Sequence, residues 1–478
     1  MAEKENTIKK DTWLYFEDNQ GKHFKAFNFA DYLMDRFHFT FNFFDPHGFW
    51  WNPITQQWKG KADIRLKSAI IETMDKVAGR SYKGNTVSNV QQIIRDYRGR
   101  DESETDRFAI ENRNPHKVVF ANGTYDLDRD VIEPNRYDNY ILQNHDYILG
   151  ELPNIPTSWD RWLTESLVDP DAKKDDTGKW ETEGDKNAPE TFKAFIGYAL
   201  AGTYQEIQSY LIIHGNGGEG KSTALNIIAL IFGANISHID LADLGSKETA
   251  RFKLSKLNRM ELNIGDDVEG SFLKTTSILK RLTGGNPVSA EDKGQDPYDF
   301  TNNAKLLFTC NALPSFSDNS HGMERRPIVL EWRKIKNFSK KYSEAEFIRD
   351  RPAFVRECLV AYAKALKRSQ LLNEPQLPMT EYMKQRVKEW LMTNDTIGNW
   401  INENCELGEN YREQTQTLYN NYTRYCHLSG TQALKKAKFN GAMRTRGIEP
   451  NKTIKINGKT TKGYKGIHRI EKYDSDLY

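Results

Sequence analysis

The segment from Gly215 to Ser222 constrains this chain more than any other, because it spells Gly-Asn-Gly-Gly-Glu-Gly-Lys-Ser. This G-x-x-x-x-G-K-[ST] pattern follows an apolar run, Tyr210 to Ile213, and precedes a second one, Thr223 to Phe232. Glycines let successive backbone N–H groups turn toward one anion, and a helix that begins at Ser222 directs its positive dipole end to the same place. The pattern therefore predicts a strand, a phosphate-binding loop and a buried helix that Gly233 ends.

A loop of this kind predicts a nucleotide site. We expect Lys221 to reach the β- and γ-phosphates and the Ser222 hydroxyl to bind Mg²⁺. The predicted nucleotide-binding set is Gly215, Asn216, Gly217, Gly218, Glu219, Gly220, Lys221, Ser222 and Thr223. The alternative is a glycine-rich turn between a strand and a helix.

Two later strand ends carry polar residues that ATP hydrolysis needs. Leu262 to Asp267 predicts a strand that ends in paired carboxylates. Asp266 would hold a Mg²⁺-bound water and Asp267 would orient the attacking water; paired acids elsewhere often only cap a helix or a turn. Lys305 to Asn311 predicts a second strand, with Asn311 placed to orient water near the γ-phosphate. ATP and Mg²⁺ are therefore the expected cofactors.

Between and after these strands lie two further candidate segments. Residues 279–297 predict a helix and then a hairpin with Lys293 and Gly294 at its tip. Arg325 and Arg326 precede another apolar strand, where one of them could act across a subunit boundary as an arginine finger. The alternative for either arginine is a surface salt bridge.

Length and composition exclude several classes of protein. A chain of 478 residues exceeds what one core normally serves, so several domains are expected. The four cysteines lack C-x-x-C spacing, which indicates neither a zinc site nor a disulfide framework. No signal peptide and no apolar stretch of about 20 residues is visible, so we expect a cytoplasmic protein with no membrane contact.

The two ends of the chain differ in character. Near the N-terminus, Phe37, Phe39, Phe41 and Phe43 alternate with polar residues, which predicts a half-buried strand. Such aromatics could stack on single-stranded bases, but we assign them to the core. Residues 118–127 predict a hairpin around an Asn-Gly turn.

The segment from Ala433 to Lys472 holds twelve Lys and Arg but two Glu. A basic helix that Gly447 would end, followed by a basic hairpin, predicts a winged helix, whose second helix enters a major groove while the wing touches phosphates. The candidate DNA-binding residues here are Lys435, Lys436, Lys438, Arg444, Arg446 and Lys459. A basic solvated face is the alternative.

The order of these motifs over residues 195–332 resembles the superfamily 3 helicases of viruses, phages and plasmids. Residues 195–202 resemble the helicase half of phage and plasmid primase-helicases, and residues 120–127 resemble their accessory domain. The run Lys280 to Asp296 is similar to a papillomavirus-type initiator motif. Size and organisation resemble the replication initiators of staphylococcal pathogenicity islands, and no primase module is apparent.

The resemblance implies a role for each matching position. Asp266 and Asp267 would be the Walker B acids, Asn311 the sensor, Lys280 a phosphate-contacting residue and Lys293 the DNA contact at the hairpin tip. Arg326 would be the finger, with Arg325 as its substitute. Gly294 stands where a second basic or aromatic residue often follows the tip lysine, which weakens the expected grip on DNA. The resemblance also implies an AAA+ type ring, commonly a hexamer, that moves 3′ to 5′ along one strand.

We therefore expect an α/β protein with an AAA+ type P-loop ATPase core. The expected parts are an accessory α/β domain (1–155), a helical collar (156–205) with a charged, flexible excursion (169–189), an ATPase domain (206–372) and a basic winged-helix domain (380–478). The expected function is an ATP-dependent replicative DNA helicase and replication initiator of a mobile element. Expected partners are single- and double-stranded DNA, an origin sequence, a primase and host replication proteins.

Three alternatives stay open. The chain could be the helicase subunit of a primase-helicase system without specific origin binding. It could instead be an ATP-switched origin-binding protein that does not unwind. A metabolic P-loop kinase is more distant, because it leaves the basic C-terminal segment unexplained.

Overall fold

The computed structural model describes residues 14–18, 21–42, 45–77, 84–98, 106–167, 187–215, 217–244, 247–268, 272–273, 276–291, 296–316, 321–429, 431, 433–450, 452–456 and 458–470. The chain forms two compact units, Met1–Glu151 and Leu152–Tyr478. Both units mix helices and strands, as the α/β prediction requires. In the described part of the chain, no helix has the length and apolar character needed to cross a bilayer.

The described residues of the first unit form three small antiparallel sheets and three α-helices. Its elements are β1 (Tyr15–Asp18), β2 (Gly21–Phe24), α1 (Ala26–Met34), β3 (Phe39–Asn42), β4 (Asp45–Asn52), β5 (Gln57–Gly60), α2 (Ala62–Val77), α3 (Gly84–Ile93), β6 (Lys117–Phe120), β7 (Gly123–Asp126) and β8 (Val131–Glu133). The sheets are β1-β2, β3-β4-β5 and β6-β7-β8. The predicted hairpin over 118–127 is confirmed as β6 and β7.

The aromatic strand of the first unit packs against its own core, as predicted. Phe39 and Phe41 on β3 are both 5% exposed and lie in one cluster with α1, α2 and α3. Phe49 and Trp58 belong to a second cluster, with Phe108. The β3-β4-β5 sheet therefore separates two apolar layers, because successive side chains of a strand point to opposite faces.

The second unit begins with two helices and a parallel sheet. Its first elements are α4 (Ser158–Ser166), α5 (Asn187–Ala201), β9 (Tyr210–His214), α6 (Lys221–Phe232), β10 (Ile236–Ser237), α7 (Leu241–Leu244), α8 (Lys247–Lys253), β11 (Leu262–Val268), β12 (Phe272–Leu273), α9 (Ser277–Leu282), β13 (Pro287–Ala290), β14 (Tyr298–Thr301), β15 (Lys305–Cys310), β16 (Ser315–Phe316), α10 (His321–Glu324) and β17 (Pro327–Glu331). The central sheet has the strand order β10-β11-β15-β9-β17, and every neighbouring pair is parallel.

The remaining elements of this unit are helices followed by an antiparallel sheet. They are α11 (Phe338–Lys341), α12 (Glu344–Leu372), α13 (Glu381–Asn394), α14 (Thr396–Asn404), β18 (Cys405–Gln414), α15 (Thr415–Leu428), α16 (Lys436–Thr445), β19 (Lys452–Ile456) and β20 (Lys459–Arg469). Ser343 and Glu346 form a capping box at the start of α12. The last sheet has the order β18-β20-β19.

Two details of the second unit differ from the prediction. The stretch around Pro375 and Pro378, interpreted as a linker, is packed: Leu377 is 1% exposed and its N–H donates to Ser209 Oγ. Helix α13, which the boundary at 380 assigns to the C-terminal domain, packs against β17, and its Val387 and Trp390 lie in the core cluster of the parallel sheet. The prolines predict a linker, but the packing of the apolar face of α13 against the sheet determines where this helix lies.

The C-terminal elements form a separate small core. Trp400 of α14, Tyr422 of α15, Phe439 of α16 and Tyr464 of β20 are buried together. As predicted, α16 ends just before Gly447, whose φ of +77° suits glycine, and β19 and β20 form the basic hairpin. Strand β18 was not predicted, because its sequence, Cys405–Gln414, is mostly polar and exposed.

Candidate nucleotide site

The candidate site lies at the carboxyl edge of the parallel sheet. Because all five strands run the same way, the residues that follow β9, β11 and β15 come to one edge. The loop after β9 is the predicted phosphate loop. Its Gly217, Gly218 and Gly220 have φ values of +103°, +76° and +87°, a region that side chains other than glycine rarely adopt.

Lys221 is the centre of this site. The residue is only 8% exposed, and its Nζ donates hydrogen bonds to Gly215 O at 2.9 Å and to Asn311 Oδ1 at 2.6 Å. Glu219 Oε2 lies 3.7 Å from the same Nζ. The ammonium group is thus held by short-range polar partners within the loop and by the residue that follows β15.

Ser222 and Asp266 form the second contact across the site. Ser222 Oγ lies 3.4 Å from Asp266 Oδ2, and Asp266 Oδ1 accepts a hydrogen bond from Thr309 Oγ1 at 2.7 Å. The serine lies in the first turn of α6, the aspartate lies on β11 and the threonine lies on the adjacent strand β15. A hydroxyl and a carboxylate therefore face each other at this edge of the sheet, and their role as metal ligands stays a prediction.

Several predicted residues are brought together here and others are not described. Lys221, Ser222, Asp266 and Asn311 meet, and Thr223 follows on α6. Asn216 lies outside the described residues, and Asp267 lies on β11, but only its backbone is described. The partnership of Thr309 with Asp266 was missed. Its signal is a single hydroxyl inside the otherwise apolar strand Leu306–Cys310.

A second group of side chains that the sequence did not predict lies beside the loop after β9. His214 and Glu331 are the last residues of the paired strands β9 and β17, and their side chains hydrogen-bond at 2.9 Å. Arg386 of α13 donates from Nε to Glu331 Oε1 at 2.7 Å. Burial alone would raise the pKa of Glu331, but the hydrogen bonds from His214 and Arg386 hold it below its usual value. A polar residue directly after each apolar run is the sequence signal for this group.

The two arginines lie at the opposite edge of the sheet. Arg326 directly precedes β17, whose five residues span about 16 Å, and its carbonyl accepts from Tyr210 N at the start of β9. Arg326 is 7% exposed, and its guanidinium donates to Thr283 Oγ1, Gly322 O and Gln208 Oε1. Neither arginine can serve the nucleotide site of its own chain.

The two arginines differ in how their own subunit holds them. Three bonds inside its own subunit hold Arg326, whereas Arg325 is half-buried and donates from Nη2 to Gln208 Oε1 at 2.6 Å. Releasing Arg326 toward a neighbour would break all three bonds and leave the buried Thr283 Oγ1 without this donor. Arg325 is the better candidate, and the finger role itself stays a prediction.

The hairpin predicted after α9 is present as β13 and β14, and its contact with DNA stays a prediction. The two strands pair from Pro287–Thr301 to Ala290–Tyr298, and Lys293, between them in the chain, lies outside the described residues. Lys280 lies half-buried on the preceding helix α9, between the buried Leu279 and Leu282.

The predicted C-terminal DNA contacts lie on α16 and the hairpin. Lys435, Lys436, Lys438 and Arg444 are exposed. Arg446 differs, because it pairs with Asp395 at 2.5 Å and so ties α16 to the start of α14. Lys459 opens β20, and its side chain lies outside the described part.

Sequence comparisons identify two family models in this chain. Residues 30–168 match "D5 N terminal like", and residues 213–326 match a family of unknown function, DUF5906. The second match covers the phosphate loop, Asp266, Asn311 and both arginines. A curated relative is a putative helicase (L207/L206) of Acanthamoeba polyphaga mimivirus, 24% identical over 241 residues. That match covers 49% of this chain, and the chain spans about a quarter (23%) of that protein's length.

Solved structures of the NrS-1 C-terminal region are also similar. An apo structure of residues 305–718 has a TM-score of 0.49 and 13% identity and covers 91% of this chain and 97% of that one. The A form apo structure has a TM-score of 0.47 and 12% identity, with 92% and 98% covered. The narrower resemblances, to superfamily 3 and to staphylococcal initiators, stay predictions. The match to "D5 N terminal like" and the putative helicase of a virus support the broader resemblance, to viral helicase-type proteins.

Proposed function

We propose that this chain is an ATP-dependent DNA helicase of the superfamily 3 type, with an AAA+ type P-loop core. The observation that carries the proposal is the meeting of Lys221, Asn311, Ser222 and Asp266 at one edge of a parallel sheet. These four side chains come from three separate segments of the chain. A lysine, an amide, a hydroxyl and a carboxylate form the set that hydrolysis of a nucleoside triphosphate uses.

The same donor set fits a magnesium ion that binds together with the nucleotide. Mg²⁺ in proteins commonly takes one or two carboxylates and completes its shell with phosphate oxygens and waters. Ser222 Oγ and Asp266 would hold it, and Thr309 fixes the orientation of the Asp266 carboxylate. When bound, the ion would neutralise charge on the phosphate oxygens.

Individual residues of the chain would then have separate roles in hydrolysis. Lys221 would exchange Asn311 Oδ1 and Gly215 O for phosphate oxygens, a better match for its charge than neutral acceptors. The released Asn311 amide would orient the attacking water, and Asp267 would accept its proton. Arg325 of a neighbouring chain would stabilise the charge that develops on the γ-phosphate.

The DNA-binding part of the proposal rests on two basic features. The C-terminal helices and the β19-β20 hairpin follow the order of a winged helix, with exposed Lys436, Lys438 and Arg444 on α16. Lys293, between β13 and β14, would contact the strand in the channel of a ring. We propose a hexamer that moves 3′ to 5′ and initiates replication of a mobile element at an origin, with a primase and host proteins as partners.

A second candidate is a DNA-binding protein whose ATP site acts as a switch and does not unwind. Helix α13 favours it, because this helix contacts the loops of the nucleotide site and leads into the basic C-terminal part. Trp390 Nε1 donates to Pro314 O at 2.8 Å, and Asn394 Oδ1 accepts from Phe316 N at 2.8 Å. Pro314 and Phe316 follow Asn311 closely in the chain. A movement of Asn311 would therefore be transmitted through α13 to α14.

Nucleotide turnover tests the shared part of both candidates. We expect the full chain to bind a fluorescent ATP analogue with Mg²⁺ and to hydrolyse ATP faster when single-stranded DNA is added. Stimulation by single-stranded DNA favours the motor, and turnover that responds to duplex DNA alone favours the switch. No ATP binding at millimolar nucleotide would contradict both.

A further inference from the structure

The first unit has an open cavity whose lining residues do not belong to the candidate nucleotide site. Its volume is about 400 Å³, within the range of small-ligand sites, and it is lined by Trp51, Pro53, Gln56, Asn135, Arg136 and Tyr137. Aromatic rings, one cation and amides line it together. These groups suit a flat, polar, aromatic ligand better than a lipid or a sugar.

The cavity exists because one face of the β3-β4-β5 sheet is only partly covered. Phe39 and Phe41 point to the face that α1, α2 and α3 close. Phe49 and Trp58 face the other side, where Phe108 covers them. Trp51 lies opposite Trp58 on the neighbouring strand and remains half-buried at the open end of this layer.

Tyr137 is a fixed and exposed platform at this end. Its ring is 45% exposed and stacks on the His38 imidazole, with ring centres 3.8 Å apart and planes 19° from parallel. Trp58 Nε1 donates to the Tyr137 carbonyl at 2.7 Å, which holds its backbone. The Trp51 ring meets Tyr137 at 70° with centres 6.5 Å apart. The Tyr137 ring therefore offers a flat face, and the Trp51 ring stands steeply inclined beside it.

The polar groups of the cavity limit what can bind. Asn135 is 8% exposed; its Nδ2 donates to Phe120 O, and its amide carries a second N–H for a ligand carbonyl. Arg136 donates to both carboxylate oxygens of Asp138, so the charge beside the cavity is nearly balanced. A ligand bound mainly through its phosphate charge is thus disfavoured, and an aromatic base is favoured.

We propose that this cavity binds a nucleotide whose base stacks on the Tyr137 ring and lies beside the Trp51 ring. The base comes from single-stranded DNA or from a free nucleotide, which share this chemistry. Stacking on an aromatic side chain tolerates any base. Because Asp138 neutralises Arg136, occupancy changes little with salt, unlike binding to a basic surface.

Photo-cross-linking on the full chain tests the proposal. The probes are a thymidine 12-mer with one 5-iododeoxyuridine and free 5-iododeoxyuridine monophosphate, with peptide mapping after irradiation. We expect cross-links in peptides that contain Trp51 or Tyr137, about tenfold reduced in Tyr137→Ala and kept in Tyr137→Phe. Cross-linking by the 12-mer alone assigns the site to a strand, and cross-linking by both assigns it to a single nucleotide.

Two pairs of matched variants distinguish the loss of this binding site from a folding defect. Tyr97→Ala removes another exposed tyrosine of this unit, 69% exposed, and should cross-link like the wild type. Pro53→Trp adds an indole at the rim without removing core packing, and it should block the cavity. Ile54→Trp, on the same turn at a position that does not line the cavity, should not. Equal cross-linking in Pro53→Trp and Ile54→Trp, or cross-links confined to residues 152–478, would overturn the proposal.

Discussion

The Nζ atom of Lys221 lies 2.6 Å from Oδ1 of Asn311, although 90 residues separate the two in the chain. This contact joins the loop after β9 to the end of β15. A single movement of the lysine toward a phosphate would therefore also release the amide. In the proposed mechanism, nucleotide binding by Lys221 and the positioning of Asn311 would therefore be coupled.

Replacing the lysine should abolish turnover. We expect Lys221→Ala to lower kcat/KM for ATP by at least about 10²-fold, because one preorganised charge contact on a transferring phosphoryl group contributes about 3 kcal/mol or more. Steady-state ATPase assays measure this effect. Lys340→Ala removes an exposed lysine of α11 as the control. Substantial turnover by Lys221→Ala would contradict the site.

Thr309 should act through Asp266. Its hydroxyl is 2.7 Å from Asp266 Oδ1 on the neighbouring strand, so Thr309→Val frees the carboxylate to rotate. We expect about a tenfold lower kcat and a higher Mg²⁺ concentration at half-maximal rate, with both restored in Thr309→Ser. A Mg²⁺ titration of the ATPase rate is the measurement. An unchanged titration in Thr309→Val would show that Asp266 needs no such partner.

The residues between β13 and β14 should serve DNA and not ATP. We expect Lys293→Ala to keep basal ATPase and to lose strand displacement, because in the proposed mechanism the lysine would contact the DNA strand and not the nucleotide. Gln295→Ala, two positions further along the chain, is the matched control and should unwind normally. Normal unwinding by Lys293→Ala would remove the hairpin from the mechanism.

The exposed cations of α16 should contribute to DNA affinity by charge. We expect Arg444→Ala to weaken duplex binding and to reduce the slope of log K against log salt by about one, the effect of losing one phosphate contact. Fluorescence anisotropy at several salt concentrations measures the slope. Lys388→Ala on α13 should leave it unchanged, and an unchanged slope in Arg444→Ala would place the DNA elsewhere.

A buried charge cluster should make stability depend on pH. Lys193 Nζ lies 2.6 Å from Asp160 and 3.2 Å from both Glu190 and Glu357. Burial, together with Asp160, raises the pKa of Glu357 to about 7 despite the lysine. The folded chain thus holds this proton more tightly than the unfolded chain, so the contribution is complete below about pH 4.5 and is lost as pH rises through 7.

Glu357→Gln should remove that dependence. We expect the variant to be more stable than the wild type at pH 8, by on the order of 2 kcal/mol, and close to it at pH 5. Thermal unfolding from pH 5 to pH 8 is the measurement, with the exposed Glu344→Gln at the start of α12 as the control. A constant difference in Tm across this range would rule out titration of Glu357.

Much of the fold was predictable because local pattern and tertiary context agree. The phosphate loop, the apolar runs of β9, β11 and β15 and the Gly447 helix end each carry a local signal that packing reinforces. Strand β18 and the placement of α13 were not predictable in this way. A polar edge strand pairs through its backbone, and the docking of α13 depends on the β17 surface that it meets.

The sequence indicates which residues lie at this edge of the sheet, but not which side chains they contact there. Parallel strands bring Asp266 and Asn311 to one edge, which sequence order alone indicates. The Thr309 contact depends on the register of β11 against β15, and the burial of Arg326 depends on Thr283 and Gln208 from distant segments. A side chain's partners across such distances leave no trace in local spacing.

Strand displacement on a forked DNA with a 3′ tail is the most direct test of the helicase assignment. The wild type should separate the strands only when ATP and Mg²⁺ are present, and Lys221→Ala should not separate them. A fork with only a 5′ tail should remain paired, because the proposed direction is 3′ to 5′. ATP hydrolysis by the wild type without separation of either fork would contradict the helicase and leave the ATP-switched DNA-binding protein.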